Sequence, residues 1–328
     1  MLRLARAVLA LALGGALVLA IVGAAVLQRA AAPGPTTAET TVVVEPGAGV
    51  GTIAATLTDA GVVDEPWLFR LYARLVGAER ALTAGEYAFP AAVSTAEVVR
   101  MLRDHEVVEY RFTLVEGWTV AQTFRALGAA DDLTGELPKP PPEGRLLPDT
   151  YLFQRGETRA ELVRRMLEAM EVELAAAWAE RAPDLPLDSA DEALTLASIV
   201  EKETAVAAER ELVAGVFVNR LARGMRLQTD PTVIYAVTAG VGPLDRPLLR
   251  RDLEVDDPYN TYVHPGLPPG PIANPGRASL RAAVNPAETD YLYFVADDSG
   301  GHAFARTLAE HNANVRAWRR HQRARDDG

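Results

Sequence analysis

From Ala7 to Leu27 the chain is an unbroken apolar run. As a helix rising about 1.5 Å per residue, such a run crosses a bilayer core of about 30 Å while satisfying its own backbone hydrogen bonds. It reads as a membrane span. Arg3 and Arg6 lie before it, whereas the flank beyond holds Arg29 and soon turns acidic at Glu39 and Glu45. That asymmetry predicts a cytoplasmic amino end, with the bulk of the chain on the other side of the inner (cell) membrane. A cleaved signal peptide is the competing reading, because Ala30-Ala31-Ala32 suits a small-residue cleavage site. The run exceeds the usual signal core of about 7–15 residues, which favours a retained anchor.

The remainder of the 328 residues suffices for one large or two modest domains. With no cysteine, neither disulfides nor thiolate metal sites hold the fold together. A net charge of −11 argues against nucleic acid as a partner, which would call for a basic face. Lys139 and Lys202 are the only lysines, a compositional bias without functional content.

Residues 1–28 are therefore read as cytoplasmic end and span, and 29–41, rich in Ala, Pro and Thr, as a tether lifting the folded part off the membrane. Thr41 to Glu45 predicts a strand, Ile53 to Val62 and Trp67 to Leu75 two helices, and Gly85 to Pro90 a second strand. Ser94 and Glu97 have capping-box spacing for a third helix, and Val107 to Val115 alternates as a strand. A short helix follows Trp118, the proline-rich stretch 131–148 marks a loop or boundary, and Arg159 to Glu180 is a long amphipathic helix. Tyr291–Ala296 and His302–Phe304 predict a hairpin about an Asp297–Gly301 turn. The fold class is α+β: a single transmembrane helix, a small α+β module at 42–130, a larger mixed α/β domain at 149–320, and a charged tail at 321–328.

One helix stands out. Ser189 and Glu192 have capping-box spacing, so a helix starts near Ala190. At 100° per residue, Leu196, Ile199, Val200 and Glu203 share a face, while Glu201 points roughly the other way, toward water. A carboxyl held against apolar neighbours has its charged form poorly solvated, so it keeps a proton to higher pH, as a general acid must. The same position also suits a structural glutamate paired with Lys202 or Arg210, and periodicity does not decide between the two.

The blocks around that helix bear on the choice. Ala197-Ser-Ile-Val-Glu-Lys-Glu-Thr-Ala205, Val216-Phe-Val-Asn-Arg-Leu221, Met225-Arg-Leu-Gln-Thr-Asp-Pro-Thr-Val-Ile-Tyr235, Tyr259-Asn-Thr-Tyr262 and Gly266-Leu-Pro-Pro-Gly270 occur in this order. Together they resemble the endolytic peptidoglycan (murein) transglycosylases, the MltG or YceG-like family. The resemblance implies that Glu203 is catalytic and that the strand, two helices and strand of the small module are LysM-like and grip peptidoglycan. It further implies cleavage between N-acetylmuramic acid and N-acetylglucosamine by internal attack of the muramyl C6 hydroxyl, leaving 1,6-anhydro ends. No cofactor is expected, and the implied partners are glycan strands and the synthases that make them. A non-catalytic scaffold and a hydrolase remain as alternatives; the hydrolase needs a second carboxylate, for which Glu209, Asp230 and Asp252 are candidates.

Gln228 and Thr229 are candidate sugar contacts in the loop before Asp230-Pro231, a pair that reads as a helix N-cap and first residue. Asn260 and Tyr262, ahead of a loop dense in proline and glycine, are candidate cleft residues. His264, His302 and His311 lack metal-ligand spacing, so no metal is expected and His302 is assigned a structural role.

Overall fold

A computed structural model describes residues 2–297 and 300–326. The first helix, α1 (Leu2–Ala30), contains Leu9–Ala30, 22 residues of mean hydropathy 2.5 and the one segment among the described residues long and apolar enough to cross a membrane. With α1 included, the chain divides into two compact units, Met1–Tyr110 with Leu152–Arg155, and Arg111–Tyr151 with Gly156–Gly328.

The first unit runs β1 (Thr40–Val44), α2 (Val50–Asp59), α3 (Pro66–Leu75), β2 (Gly85–Phe89) and α4 (Thr95–Arg103). β1 and β2 pair antiparallel, with Thr40 opposite Phe89 and Val44 opposite Gly85. Val42 and Val44 alternate inward onto Ile53, Leu57, Phe69, Tyr87 and Phe89, so a two-residue period on the strands meets the apolar stripes of the helices. Ser94 caps α4 by accepting the Glu97 N–H at 3.2 Å, as its spacing predicts.

The segment after α1, read from the sequence as a tether, is bound to the first unit. Residues 31–39 lack helix and strand, yet Ala92 N–H donates to the Thr36 carbonyl at 2.7 Å and Thr36 Oγ1 donates to the Pro90 carbonyl at 3.2 Å. At Gly34 a Cβ would lie 2.1 Å from the Val93 carbonyl oxygen, so only glycine lets the two backbones pass this closely. The end of α1 is held as well: Val26 and Ala30 are buried against Leu68, and Arg29 pairs with Asp64 and Glu65 at 3.5 and 3.2 Å.

The chain crosses into the second unit within β3 (Glu109–Thr113), which forms a two-stranded sheet with β4 (Thr150–Gln154). This unit holds α5 (Val120–Gly128), α6 (Arg159–Ala179), α7 (Ala190–Glu203), α8 (Arg210–Ala222), α9 (Asp230–Thr238) and α10 (Arg277–Val284), then β5 (Tyr293–Ala296), β6 (His302–Ala305) and α11 (Leu308–Asp326). Its core is helical and its strands come only in pairs, so it is α+β with no larger sheet among the described residues. β5 and β6 form the expected antiparallel hairpin, Tyr293 opposite Ala305. Asp298 and Ser299, in its predicted turn, lie outside the described residues, as do Asp327 and Gly328; the rest of the predicted tail continues α11 to Asp326.

α7 is the centre of this unit. Ser189 accepts the Glu192 N–H at 3.2 Å and caps it where the spacing predicts. Every residue from Ala193 to Val200 is buried, which differs from a one-sided apolar stripe. The reason is side-chain size: Ala193, Ala197 and Ser198 let α8, α10 and the 271–274 loop approach from the other sides, and the Ile272 N–H donates to Ser198 Oγ at 3.0 Å. Leu194, Leu196 and Ile199 pack there with Phe217, Leu280 and Val284. Each fully buried side chain of this kind contributes about 1.5–3 kcal/mol.

Candidate active site

The last residue of α7 is Glu203, whose side chain opens on a cavity of about 560 Å3 in the second unit. The wall combines polar side chains, Arg220, Gln228, Asp230, Tyr262 and His302, with Phe217, Phe294 and, from α11, Leu308, His311 and Trp318. Neither Lys202 nor Arg210 pairs with Glu203: Lys202 donates instead to the Gly117 carbonyl at 3.2 Å. The Thr229 hydroxyl donates to Glu203 Oε1. Burial pushes the Glu203 carboxyl up from 4.5 to about 6, against the Thr229 hydrogen bond; the neighbouring Asp230 adds to the rise, and His302 and Arg220 oppose it. Its place at the carboxyl end of α7, where helix carbonyls point, acts in the same direction as burial. With Oε1 accepting from Thr229, the other oxygen is the one left to carry a proton.

Thr229 is itself buried and fixed, its N–H donating to Thr261 Oγ1 at 3.2 Å. It stands at the N-cap of α9 without a capping bond, because its hydroxyl is committed to Glu203. The helix starts one residue earlier than the Asp-Pro pair predicts, with Asp230 and Pro231 as its first two residues. Asp230 does more than begin a helix: its carboxylate accepts the Tyr262 hydroxyl at 2.6 Å in the cavity wall. Gln228 is exposed on the same wall and held at φ 51, a left-handed conformation that turns the chain into α9.

The structure brings together Glu203, Gln228, Thr229 and Tyr262 but sets Asn260 apart. Asn260 is 0% exposed; its amide donates to the Leu253 and Val255 carbonyls at 3.1 and 2.8 Å and its oxygen accepts the Tyr262 N–H at 3.0 Å. It has no free group to offer a ligand and acts by fixing the loop that carries Tyr262.

Glu201 also differs from expectation. It does not face water: Oε2 accepts the Gly276 N–H at 2.9 Å at the N-cap of α10. The two glutamates part ways by partner, a backbone amide for one and a cavity for the other. Of the second-carboxylate candidates, Asp252 is bound by Arg246 at 2.6 Å and held down at about 2, mainly by that hydrogen bond. Glu209 is bound to His302, Oε2 to Nδ1 at 2.7 Å. Asp230 alone of the three lines the cavity.

Sequence reasoning missed Arg220, His302, His311 and Trp318 as wall residues. Arg220 could have been found: an arginine inside the apolar block Val216–Leu221 has to be buried with its charge satisfied. It donates to the Leu292 and Leu227 carbonyls at 2.7 and 2.5 Å and sits 5.2 Å over the Tyr293 ring. His311 and Trp318 carry no such signal, since only the docking of α11 brings them to the cavity. Another buried acid, Glu143, is pushed up to about 7 by burial while it accepts the Val120 N–H at 2.7 Å at the start of α5.

A carboxyl that keeps its proton up to about pH 6, anchored by a hydroxyl beside a cavity with polar and aromatic walls, has what a general acid acting on a polyhydroxylated substrate needs. The pattern of the YceG-like family matches residues 42–317. The chain belongs to that family. It is 34% identical over 298 residues to the endolytic murein transglycosylase of Bacillus subtilis, covering 81% of each chain. With the endolytic murein transglycosylase of Streptococcus pneumoniae it shares 31% over 324 residues, 84% of this chain and 57% of that protein. The crystal structure of the yceG-like protein lmo1499 from Listeria monocytogenes superposes with a TM-score of 0.53 at 32% identity, covering 84% of this chain and 98% of that one.

Proposed function

We propose that the protein is a membrane-anchored lytic transglycosylase, a lyase that cuts peptidoglycan glycan strands internally, with Glu203 as its acid and then its base. The observation that carries this reading is the Glu203 carboxyl itself, protonated up to about pH 6, fixed through Oε1 by Thr229, and open to a cavity. Family membership and the names of the relatives support the substrate class.

The chemistry balances with one residue. Glu203 gives its proton to the glycosidic oxygen as the bond from muramyl C1 breaks, and the N-acetylglucosamine leaves with a hydroxyl. The muramyl C6 oxygen then bonds to C1, and its proton passes to the Glu203 carboxylate, which restores the acid. No water enters. The internal nucleophile supplies an effective concentration worth up to about 7–11 kcal/mol, so positioning and proton transfer are the protein's main tasks. On this reading Gln228 and Tyr262, which line the cavity, contact the sugars, and the Asp230 carboxylate beside them adds charge that favours the oxocarbenium-like transition state.

In this reading α1 anchors the chain with its amino end in the cytoplasm, and the first unit, a strand, two helices and a strand, is a LysM-like grip on the same polymer. Proximity to peptidoglycan synthases follows from cutting strands as they emerge. Digestion of purified glycan strands with the full-length protein, followed by mass analysis of the ends, tests the reaction. Anhydro ends are expected; reducing ends would make it a hydrolase, and uncut strands a scaffold.

A further inference from the structure

We infer that α3 is a membrane-docking surface: its exposed face, Trp67, Arg70, Arg74 and Leu75, continued by Val76, rests in the anionic headgroup layer of the bilayer that α1 crosses. The inference rests on the reading of α1 as a retained anchor and goes beyond it, because an anchor alone leaves the folded part free of the lipid.

The end of α1 is held against the first unit. Its buried positions recur on one face, with Gly23 half-buried and Val26 and Ala30 buried, so the first unit covers its last two turns. Leu9–Ala30 as a helix is about 33 Å long, barely more than a hydrocarbon core of about 30 Å. Gly23 to Ala30 is about 10 Å of that length. Protein packed over these turns has to stand at the membrane boundary, and the element packed there is α3, through Leu68, with Leu71 and Tyr72 beside it.

What α3 turns away from its own core suits that boundary. Trp67 and Leu75 are each 52% exposed and Val76 is 39% exposed, large apolar groups that keep much of their surface outside the protein. Positions 67, 70, 71, 74 and 75 share one side of the helix, which mixes these groups with two arginines that form no salt bridge among the described residues. The acids at its start, Asp64 and Glu65, are paired with Arg29. Tryptophan and arginine are the side chains that favour the headgroup level, the ring for its amphipathic shape and the guanidinium for lipid phosphates. The segment from α1 to β1 is bound along residues 90–93, which removes the slack that would let the unit rise.

The absence of cysteine gives a clean test. Full-length protein carrying Leu75→Cys, Val76→Cys or, inside the span, Leu17→Cys is spin-labelled and reconstituted into vesicles of phosphatidylethanolamine and phosphatidylglycerol. Depth is read from collisions with oxygen, which favours lipid, against an aqueous nickel chelate, and is calibrated with labelled lipids. Labels at Leu75 and Val76 are expected at headgroup depth, moving outward when Arg70→Glu and Arg74→Glu are added. Labels there that stay aqueous while Leu17 is deep would overturn the docking and leave the anchor intact. Low exposure to both reagents, the mark of a protein partner such as a second copy, would also overturn it. An aqueous Leu17 label would overturn the anchor reading and the docking with it.

Discussion

Replacing Glu203 with glutamine should disable the protein and stabilise it at once. Glutamine keeps the shape and can still accept the Thr229 hydroxyl, so the site's packing survives. As the sole acid and base, however, Glu203 accounts for two proton transfers, and its loss should cut cleavage by at least about 10³-fold. The stability term follows from the rise in pKa from 4.5 to about 6, driven first by burial. Between those values the folded chain holds a proton that the unfolded chain has released, so stability falls as pH rises through the window and stays low above it. At about 1.36 kcal/mol per pH unit, the cost of the buried charge reaches about 2 kcal/mol above pH 6. Glutamine never bears that charge. At pH 7.5 the Glu203→Gln chain should gain about 2 kcal/mol, about 4–8 °C in the unfolding of a unit of this size. Below pH 4.5 the gain should vanish. Calorimetry of both proteins across pH, beside mass analysis of glycan ends, checks the two halves. Retained cleavage, or a stability change that ignores pH, would refute the buried-acid argument.

Other perturbations separate the parts of the site. Thr229→Val removes the hydrogen bond that restrains the Glu203 pKa; the alkaline limb of the pH–rate profile should move upward by about one pH unit, without abolishing activity. In Glu201→Gln the side chain can still accept the Gly276 N–H, so most cleavage should remain in the same end-group assay, and a loss equal to that of Glu203→Gln would sink the distinction between the two glutamates. Asn260→Ala strands the Leu253 and Val255 carbonyls and frees the Tyr262 loop. Thermal unfolding should report a loss of about 1–3 kcal/mol, with KM for glycan strands rising.

How much of this was legible in the sequence depends on how local each signal is. Capping at Ser94 and Ser189, the apolar first helix, the strand pair of the first unit and the closing hairpin are encoded locally, in the residues that form them. Glu203 was identifiable because its helix carries a recognisable block, although the reasoning from one apolar face described the helix imperfectly: small residues let α7 be buried all round. Asn260 was the opposite case. Its polarity suggested a ligand contact, but three backbone partners within its own loop consume it. At the start of α9 the Asp230 carboxylate, which the Asp-Pro pair offers as a cap, is taken by the distant Tyr262 hydroxyl, and the helix begins one residue earlier. Wall residues from α11 were invisible because nothing in a helix repeat says where it docks.

That last helix has a consequence in time. Leu308, His311 and Trp318 complete a cavity whose acid lies more than a hundred positions earlier in the chain. Synthesis runs from the amino end, so α7 and its glutamate are made and can fold while this wall is still missing. A chain interrupted before α11 would carry Glu203, the proposed acid, in a hollow that lacks this wall. An enzyme able to cut the wall of its own cell is thus armed last.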